Sequence, residues 1–292
     1  MVASFLGIIG GSGLYDLPGF DDLREEPIDS PWGEPSDVLR IGRLGAARVA
    51  FLPRHGRGHR LSPSDINYRA NIDVLKRAGV TDLVSISAVG SLREDLPPGT
   101  FVVINQFIDR TVMRPRSFFG AGCVAHVPMA RPVSPLLAER IGAAAKEEDV
   151  SYRRGGTYVV IEGPQFSSLA ESHLYRAWGA DVVGMTAMPE AKLAREAEIS
   201  YAAVAIVTDF DSWHPGHDAV DVASVMRVAN QNRDKVAALI QRLARDFPAE
   251  HEPCPIGSDR ALDGAIMTAP EARDQALLAK LDAVAGRVLR SR

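Results

Sequence analysis

The feature that most constrains this chain is a regular alternation of short apolar runs with stretches of helical period. Residues 5–9, 82–88 and 199–208 are dominated by apolar side chains. Runs of this kind suit strands buried on both faces of a sheet. Between them, Ile66, Ala70, Val74 and Ala78 recur every four residues and Gly79 stops the pattern. Ser62-Pro63 supplies the N-cap and first helical position of that predicted helix. Ser134-Pro135 opens a second helix to about Glu148. Ser168 and Glu171 have capping-box spacing and open a third through Trp178. Further helices are predicted over about 189–197, 222–246 and 270–289, and further strands at 38–42, 47–53, 101–107, 156–161 and 181–184. The alternation predicts an α/β fold with a largely parallel central sheet. No repeat or linker divides the 292 residues, so one domain is expected.

Composition removes several function classes. A net charge of -4 argues against a nucleic-acid partner, which calls for a basic surface. No apolar run reaches membrane-spanning length, and the N-terminus lacks the basic and apolar regions of a secretion signal. A cytoplasmic protein with no membrane partner is expected. Cys123 and Cys254 do not make a disulfide framework and read as unpaired thiols of a reducing compartment. His55 and His59 lie in a glycine-broken loop without metal-ligand spacing, so no metal is expected.

Four segments can carry chemistry. Gly10-Gly11-Ser12-Gly13 ends the first strand, either as a phosphate loop or as a tight turn; the dinucleotide fingerprint is absent. Arg54-His55-Gly56-Arg57-Gly58-His59-Arg60 is a dense cationic turn at a strand end, where open α/β sheets bind ligands. Arg54 and His55 adjoin the strand and are the better anion anchors; Arg57 and Arg60 are assigned to solvent or a subunit contact. Ser87-Ala88-Val89-Gly90-Ser91 places small and hydroxyl residues at another strand end. Thr208-Asp209-Phe210-Asp211 sets two carboxylates two residues apart after a buried run, on one side if the chain stays extended. Close acids raise one another's pKa, which makes one a proton donor near neutrality.

Taken in order, Ile8-Ile9-Gly10-Gly11-Ser12-Gly13, Arg54-His55-Gly56, Ile161-Glu162-Gly163-Pro164-Gln165-Phe166-Ser167-Ser168, Gly184-Met185-Thr186-Ala187-Met188-Pro189-Glu190 and Thr208-Asp209-Phe210-Asp211 closely resemble the trimeric purine nucleoside phosphorylases. Within them the match is to the branch acting on 5′-methylthioadenosine. The resemblance covers about residues 5–246. It implies a single α/β domain with a distorted, partly barrel-like mixed sheet flanked by helices. Residues 1–246 would be the phosphorylase domain and 247–292 a C-terminal helical arm of it. It implies a homotrimer, a nucleoside and inorganic phosphate as substrates, and no cofactor.

By position, the resemblance implies phosphate contacts from Ser12, Arg54, His55, Ser87, Ala88 and Thr186, with Ala88 also beside the base. Met185 would lie under the ribose. Phe166, Ser167, Asp209 and Asp211 would form the base pocket, with the two acids catalytic. Val222 and Val225 would meet the 5′ substituent, and His126 would reach a neighbouring subunit's site. Each has a plainer rival: Ser167, Ser168 and Thr186 can cap helices, Phe166 and Met185 can be core, and His126 can simply pack. Family members that cleave 6-oxopurines carry asparagine at the position of Asp209. A carboxylic acid there can protonate N7 and accept from the adenine amino group, so adenine is expected over hypoxanthine, by roughly four orders of magnitude. A thioether is expected over a hydroxyl at the 5′ position by about 1–3 kcal/mol.

Overall fold

The computed structural model describes residues 2–11, 18–216 and 220–290. In chain order its elements are β1 (Leu6–Gly10), β2 (Asp21–Glu26), β3 (Leu39–Leu44), β4 (Ala47–Pro53), α1 (Tyr68–Ala78), β5 (Asp82–Ser91), β6 (Phe101–Val103), β7 (Gln106–Asp109), α2 (Pro135–Glu147), β8 (Tyr152–Arg154), β9 (Thr157–Val160), α3 (Leu169–Ala177), β10 (Val182–Gly184), α4 (Ala187–Glu196), β11 (Ser200–Asp209), α5 (Val222–Gln231), α6 (Arg233–Arg245), α7 (Gln275–Lys280) and α8 (Gly286–Leu289). The strands form one 11-stranded mixed sheet, parallel at its centre among β4, β1, β5 and β11, in the order β2-β3-β4-β1-β5-β10-β9-β7. The strand β11 adds to β5 and β6, and β8 adds to β6.

The long strand β5 organises the sheet and positions the site. Its first half pairs in parallel with β1, ending at Gly10 opposite Ile86. Its last residues, Gly90 and Ser91, pair antiparallel with β10. Between these partners Ser87, Ala88 and Val89 pair with no strand on that side among the described residues, while β11 continues alongside on the other. The sheet therefore splits where β1 ends, and a crevice opens at the C-terminal ends of parallel strands.

Apolar clusters fill both faces. One joins α1, α4 and the far side of β5 and β11 to Leu262, Leu281, Val284 and Ala285, so the C-terminal arm is packed into the main core. The other lies under α2 and α6. The first helix begins later than predicted. Asn67 caps it by accepting from the Ala70 N–H at 3.1 Å, whereas Ser62 only closes a turn onto Asp65. Its predicted stop is present, with Gly79 at φ 94° as C-cap. Ser134 and the Ser168–Glu171 capping box open α2 and α3 as read.

Other boundaries differ for local reasons. The predicted strand 101–107 is two strands, because β6 pairs with β11 and β8 while β7 turns to β9. The predicted helix 222–246 breaks at Asn232, whose side chain donates back to the Val228 carbonyl at 2.9 Å. The predicted last helix is reduced to α7 and α8. The unforeseen β2 is an exposed edge strand, Asp21-Asp22-Leu23-Arg24-Glu25-Glu26, with no apolar periodicity to announce it.

Candidate active site

A pocket of about 330 Å³ occupies the crevice. It is walled by the ends of β4, β5, β10 and β11 and roofed by the α5 and α6 residues Val222, Val225, Met226, Ala229 and Val236. One end is cationic and the other acidic.

At the cationic end Arg54 follows β4 and is 1% exposed. Its Nε donates to Glu190 Oε2 at 2.9 Å and its Nη2 to Glu190 Oε1 at 3.3 Å. Nη2 also reaches Ser85 Oγ at 2.7 Å, and Nη1 donates to the Ile86 carbonyl at 2.9 Å. Tyr201 donates its hydroxyl to Glu190 Oε1 at 3.0 Å. Burial works against the guanidinium charge, but the Glu190 carboxylate outweighs it and holds the pKa above the ordinary value. Arg54 is thus a fixed charge with an Nη1 N–H still available, not a loose two-pronged clamp.

His55 is 6% exposed. Its Nδ1 lies 2.9 Å from the Leu61 carbonyl, and its ring stacks on His59 at 4.1 Å. Burial pushes its pKa down to about 4, with the charge of Arg54 adding to the effect. Ser87 Oγ lies 3.5 Å from the Tyr158 hydroxyl. That phenol crosses Gly184 so closely that a Cβ there would sit 2.2 Å from it. Thr186 lines the pocket and makes no cap bond to α4, so the capping alternative falls.

At the acidic end β11 stops at Asp209. Its Oδ2 accepts from Thr208 Oγ1 at 2.7 Å and its Oδ1 from the Asp211 N–H at 2.8 Å. The two acids do not share a side by strand alternation: Asp211 sits in a left-handed turn at φ 48°, and the turn brings it to the pocket. Burial, more than the neighbouring Asp211 charge, lifts the Asp209 carboxyl to about 6. Burial also raises Asp211. Gly90 makes room for Asp209, since a Cβ there would lie 2.8 Å from Oδ1. Among the described residues three buried oxygens here, Asp211 Oδ2, Ser167 Oγ and Ser172 Oγ, make no well-formed hydrogen bond, although the two serine hydroxyls lie close enough to the Asp211 carboxylate to favour its charge against burial. Ser168, not Ser167, caps α3.

Arg54, His55, Ser87, Ala88, Phe166, Ser167, Met185, Thr186, Asp209, Asp211, Val222 and Val225 all line this one pocket. Ser12 lies outside the described residues. His126 does not line the pocket of its own chain; it is exposed, its N–H bonded to the Ala265 carbonyl at 2.9 Å. Arg57 pairs at the surface with Glu25 and Asp37. The sequence motif assigns Glu190 no role, although a carboxylate set among Ala187, Met188 and Ala191 signals a buried partner. Tyr158 and Tyr201 gave no such signal. Among the described residues no group of three or more His, Cys, Asp or Glu is placed to hold a metal ion. Both cysteines are free and buried. No described helix is long and apolar enough to cross a membrane.

Known proteins share this chain's sequence and fold. Residues 5–245 match the phosphorylase superfamily. The S-methyl-5′-thioadenosine phosphorylase of Bradyrhizobium diazoefficiens is 67% identical, over 99% of this chain and 100% of the relative. That of Rhodospirillum rubrum is 58% identical, over 97% of each. A methylthioadenosine phosphorylase structure from an antarctic soil metagenomic library superposes with a TM-score of 0.88 at 45% identity, covering 97% of this chain and 99% of that one. A mutant adenosine/methylthioadenosine phosphorylase from Schistosoma mansoni, in complex with methylthioadenosine, gives 0.80 at 37% identity, covering 89% and 97%. The motifs, the sheet that splits at Ser87 and relatives matched from end to end agree: the chain belongs to the phosphorylase superfamily, in the branch of the S-methyl-5′-thioadenosine phosphorylases.

Proposed function

We propose that this pocket catalyses phosphorolysis of 5′-methylthioadenosine, yielding adenine and 5-methylthioribose 1-phosphate. The observation that carries the reading is Asp209, an acid raised to about 6 in the same pocket as a fixed cation and hydroxyl donors. The C1′–N9 bond breaks as the sugar gains oxocarbenium character and the base gains negative charge. Phosphate, held by Ser12, Arg54, His55, Ser87, Ala88 and Thr186, stabilises that cation and bonds to C1′. Asp209 passes its proton to N7 of the leaving base, an assistance worth about 10² to 10⁴ in rate. Asp211 and Ser167, whose oxygens make no well-formed hydrogen bond among the described residues, hold the adenine edge, and Phe166 packs against its ring. Met185 supports the ribose, and Val222 and Val225 take the methylthio group. The proton donor is a side chain and the nucleophile is phosphate, so the step needs no cofactor.

The assembly is a homotrimer on this reading, with His126 reaching the neighbouring subunit's pocket. In support, His126 is exposed away from its own pocket, and Val112, Met113 and Met267 are 68%, 79% and 68% exposed. The compartment is cytoplasmic. The 6-oxopurine alternative is disfavoured because O6 would face acceptors at Asp209 and Asp211. The test is release of free base from 5′-methylthioadenosine, adenosine, inosine and 5′-methylthioinosine, with and without phosphate. Fast, phosphate-dependent release of adenine from the first is expected. Faster inosine compounds would overturn the base assignment, and no release from any would overturn the reaction.

A further inference from the structure

Among the described residues, the buried cations around the phosphate end of the pocket are already paired, while Arg233, an exposed residue of α6, also lines the pocket. Arg54 is matched by Glu190 in a buried pair, and the buried Arg114 by Glu162 at 3.1 Å. Hydrogen bonds from Ser64 and the Val112 and Met113 N–H groups, with the charge of Arg114, hold the Glu162 carboxyl down at about 2 against its burial. The other titratable groups facing this end are Tyr68, Tyr158, Tyr201, His55 and His59. Burial raises all three phenols and lowers both imidazoles, so all five are neutral at neutral pH. A phosphate dianion placed among them would meet no unpaired buried cation, a costly arrangement.

The geometry of His55 supplies the compensation. Its Nδ1 faces the Leu61 carbonyl at 2.9 Å. A carbonyl oxygen only accepts, so Nδ1 keeps its hydrogen in every protonation state. Nε2 has no hydrogen-bond partner among the described residues, and His55 lines the pocket. In the neutral ring Nε2 is an acceptor and would repel a bare phosphate oxygen. With one proton between them the contact becomes a short charge-assisted hydrogen bond.

We infer that phosphate binds here together with one proton, shared between His55 Nε2 and a phosphate oxygen. The bound unit carries one proton more than free phosphate dianion with neutral imidazole, whichever atom holds it. The inference rests on the phosphate reading above and goes beyond it: the co-substrate is selected by protonation state as well as shape. By linkage, phosphate affinity falls roughly tenfold per pH unit once solution phosphate is the dianion.

Titration calorimetry of inorganic phosphate into the full chain tests this, at about pH 8, in two buffers of different ionisation enthalpy. Uptake of about one proton per phosphate is expected. His55→Asn can keep the Leu61 contact through its side-chain N–H and should abolish the uptake. His59→Asn should retain it, because asparagine tolerates the φ of 54° at that position. Buffer-independent heats in the wild type, or uptake unchanged in His55→Asn, would overturn the inference while leaving the phosphate site standing. Absence of any saturable heat in the wild type would overturn the phosphate site itself. If His55→Asn binds too weakly to measure, the wild-type phosphate KM decides: a roughly tenfold rise per pH unit supports the shared proton, and a flat profile removes it.

Discussion

The two ends of the pocket treat their polar atoms in opposite ways. At the cationic end every nitrogen of Arg54 already donates within the protein, to Glu190, Ser85 and the Ile86 carbonyl. At the acidic end Asp211 Oδ2, Ser167 Oγ and Ser172 Oγ are buried beside one another without a well-formed hydrogen bond among the described residues. A buried polar atom left unsatisfied costs about 1–3 kcal/mol, so folded proteins keep few of them. The contrast teaches how the labour is divided. The cationic end holds its buried charge fixed in advance, with an Arg54 Nη1 N–H and His55 Nε2 left over. The acidic end is left less complete, and on the proposed reading a purine edge would add partners for Asp211 and Ser167.

The largest effect should come from the acidic end. Asp209→Asn removes the proton donor but keeps the shape. Its Oδ1 can still accept from the Asp211 N–H. Its amide can donate to Thr208 Oγ1, which in turn has the Val89 carbonyl at 3.2 Å to donate to. We expect kcat/KM for 5′-methylthioadenosine to fall by about 10² or more with the circular dichroism unchanged. Undiminished turnover would remove Asp209 from catalysis. The same variant should be more stable, and the sign can be worked out. The Asp209 carboxyl titrates at about 6 in the folded chain and near 4 when unfolded. Between those values the folded state binds more protons, so stability is lost as pH rises through about 6. Asparagine carries no such penalty. Above that pH urea denaturation should show a gain on the order of 1–2 kcal/mol for Asp209→Asn, and below about pH 4 no gain.

The cationic end should fail differently. Glu190→Ala strands Arg54 as an unpaired buried charge, with Tyr201 losing its acceptor. Breaking a buried pair from one side costs about 3–5 kcal/mol, readable as a fall in the urea midpoint. Glu190→Gln keeps the size and one acceptor oxygen. It should stay folded while raising the phosphate KM more than the nucleoside KM. A uniform rise in both would mean that Glu190 serves the fold alone and does not position Arg54.

This contrast also decides what could be read without coordinates. The acid pair, the Arg54-His55 turn and the helix starts at Ser134 and Ser168 are carried by residues adjacent in sequence, and local chemistry betrays them. The gap at Ser87 is not local. It exists because β1 ends opposite Ile86 while β10 joins only at Gly90, a relation among three distant segments. The same holds for the Glu190–Arg54 pair, 136 residues apart. Asp209 and Asp211 were expected to share a side by extended alternation. They share the pocket through a left-handed residue instead, a backbone state rare outside glycine. The edge strand β2 was missed because an exposed strand needs no apolar pattern.

The smallest effect concerns the apolar roof, where neither kind of polar accounting applies. Val222 is 66% exposed, whereas Val225 is partly buried against the pocket. Val222 keeps most of its surface in solvent, and in the isolated chain a bound methylthio group would remove from water only the part that faces the pocket, with a contribution that scales with that area. Val225→Ser should therefore narrow the preference for 5′-methylthioadenosine over adenosine by about 1 kcal/mol, roughly fivefold in the ratio of kcat/KM. Val222→Ser should change it by less in the isolated chain. An assembly that covers Val222 with a neighbouring subunit would reverse that order. The ratio measured for both variants therefore tests the trimer as well as the roof: equal or larger loss at Val222 supports a partner over the 5′ end, and a silent Val222 means that the chain closes its pocket alone.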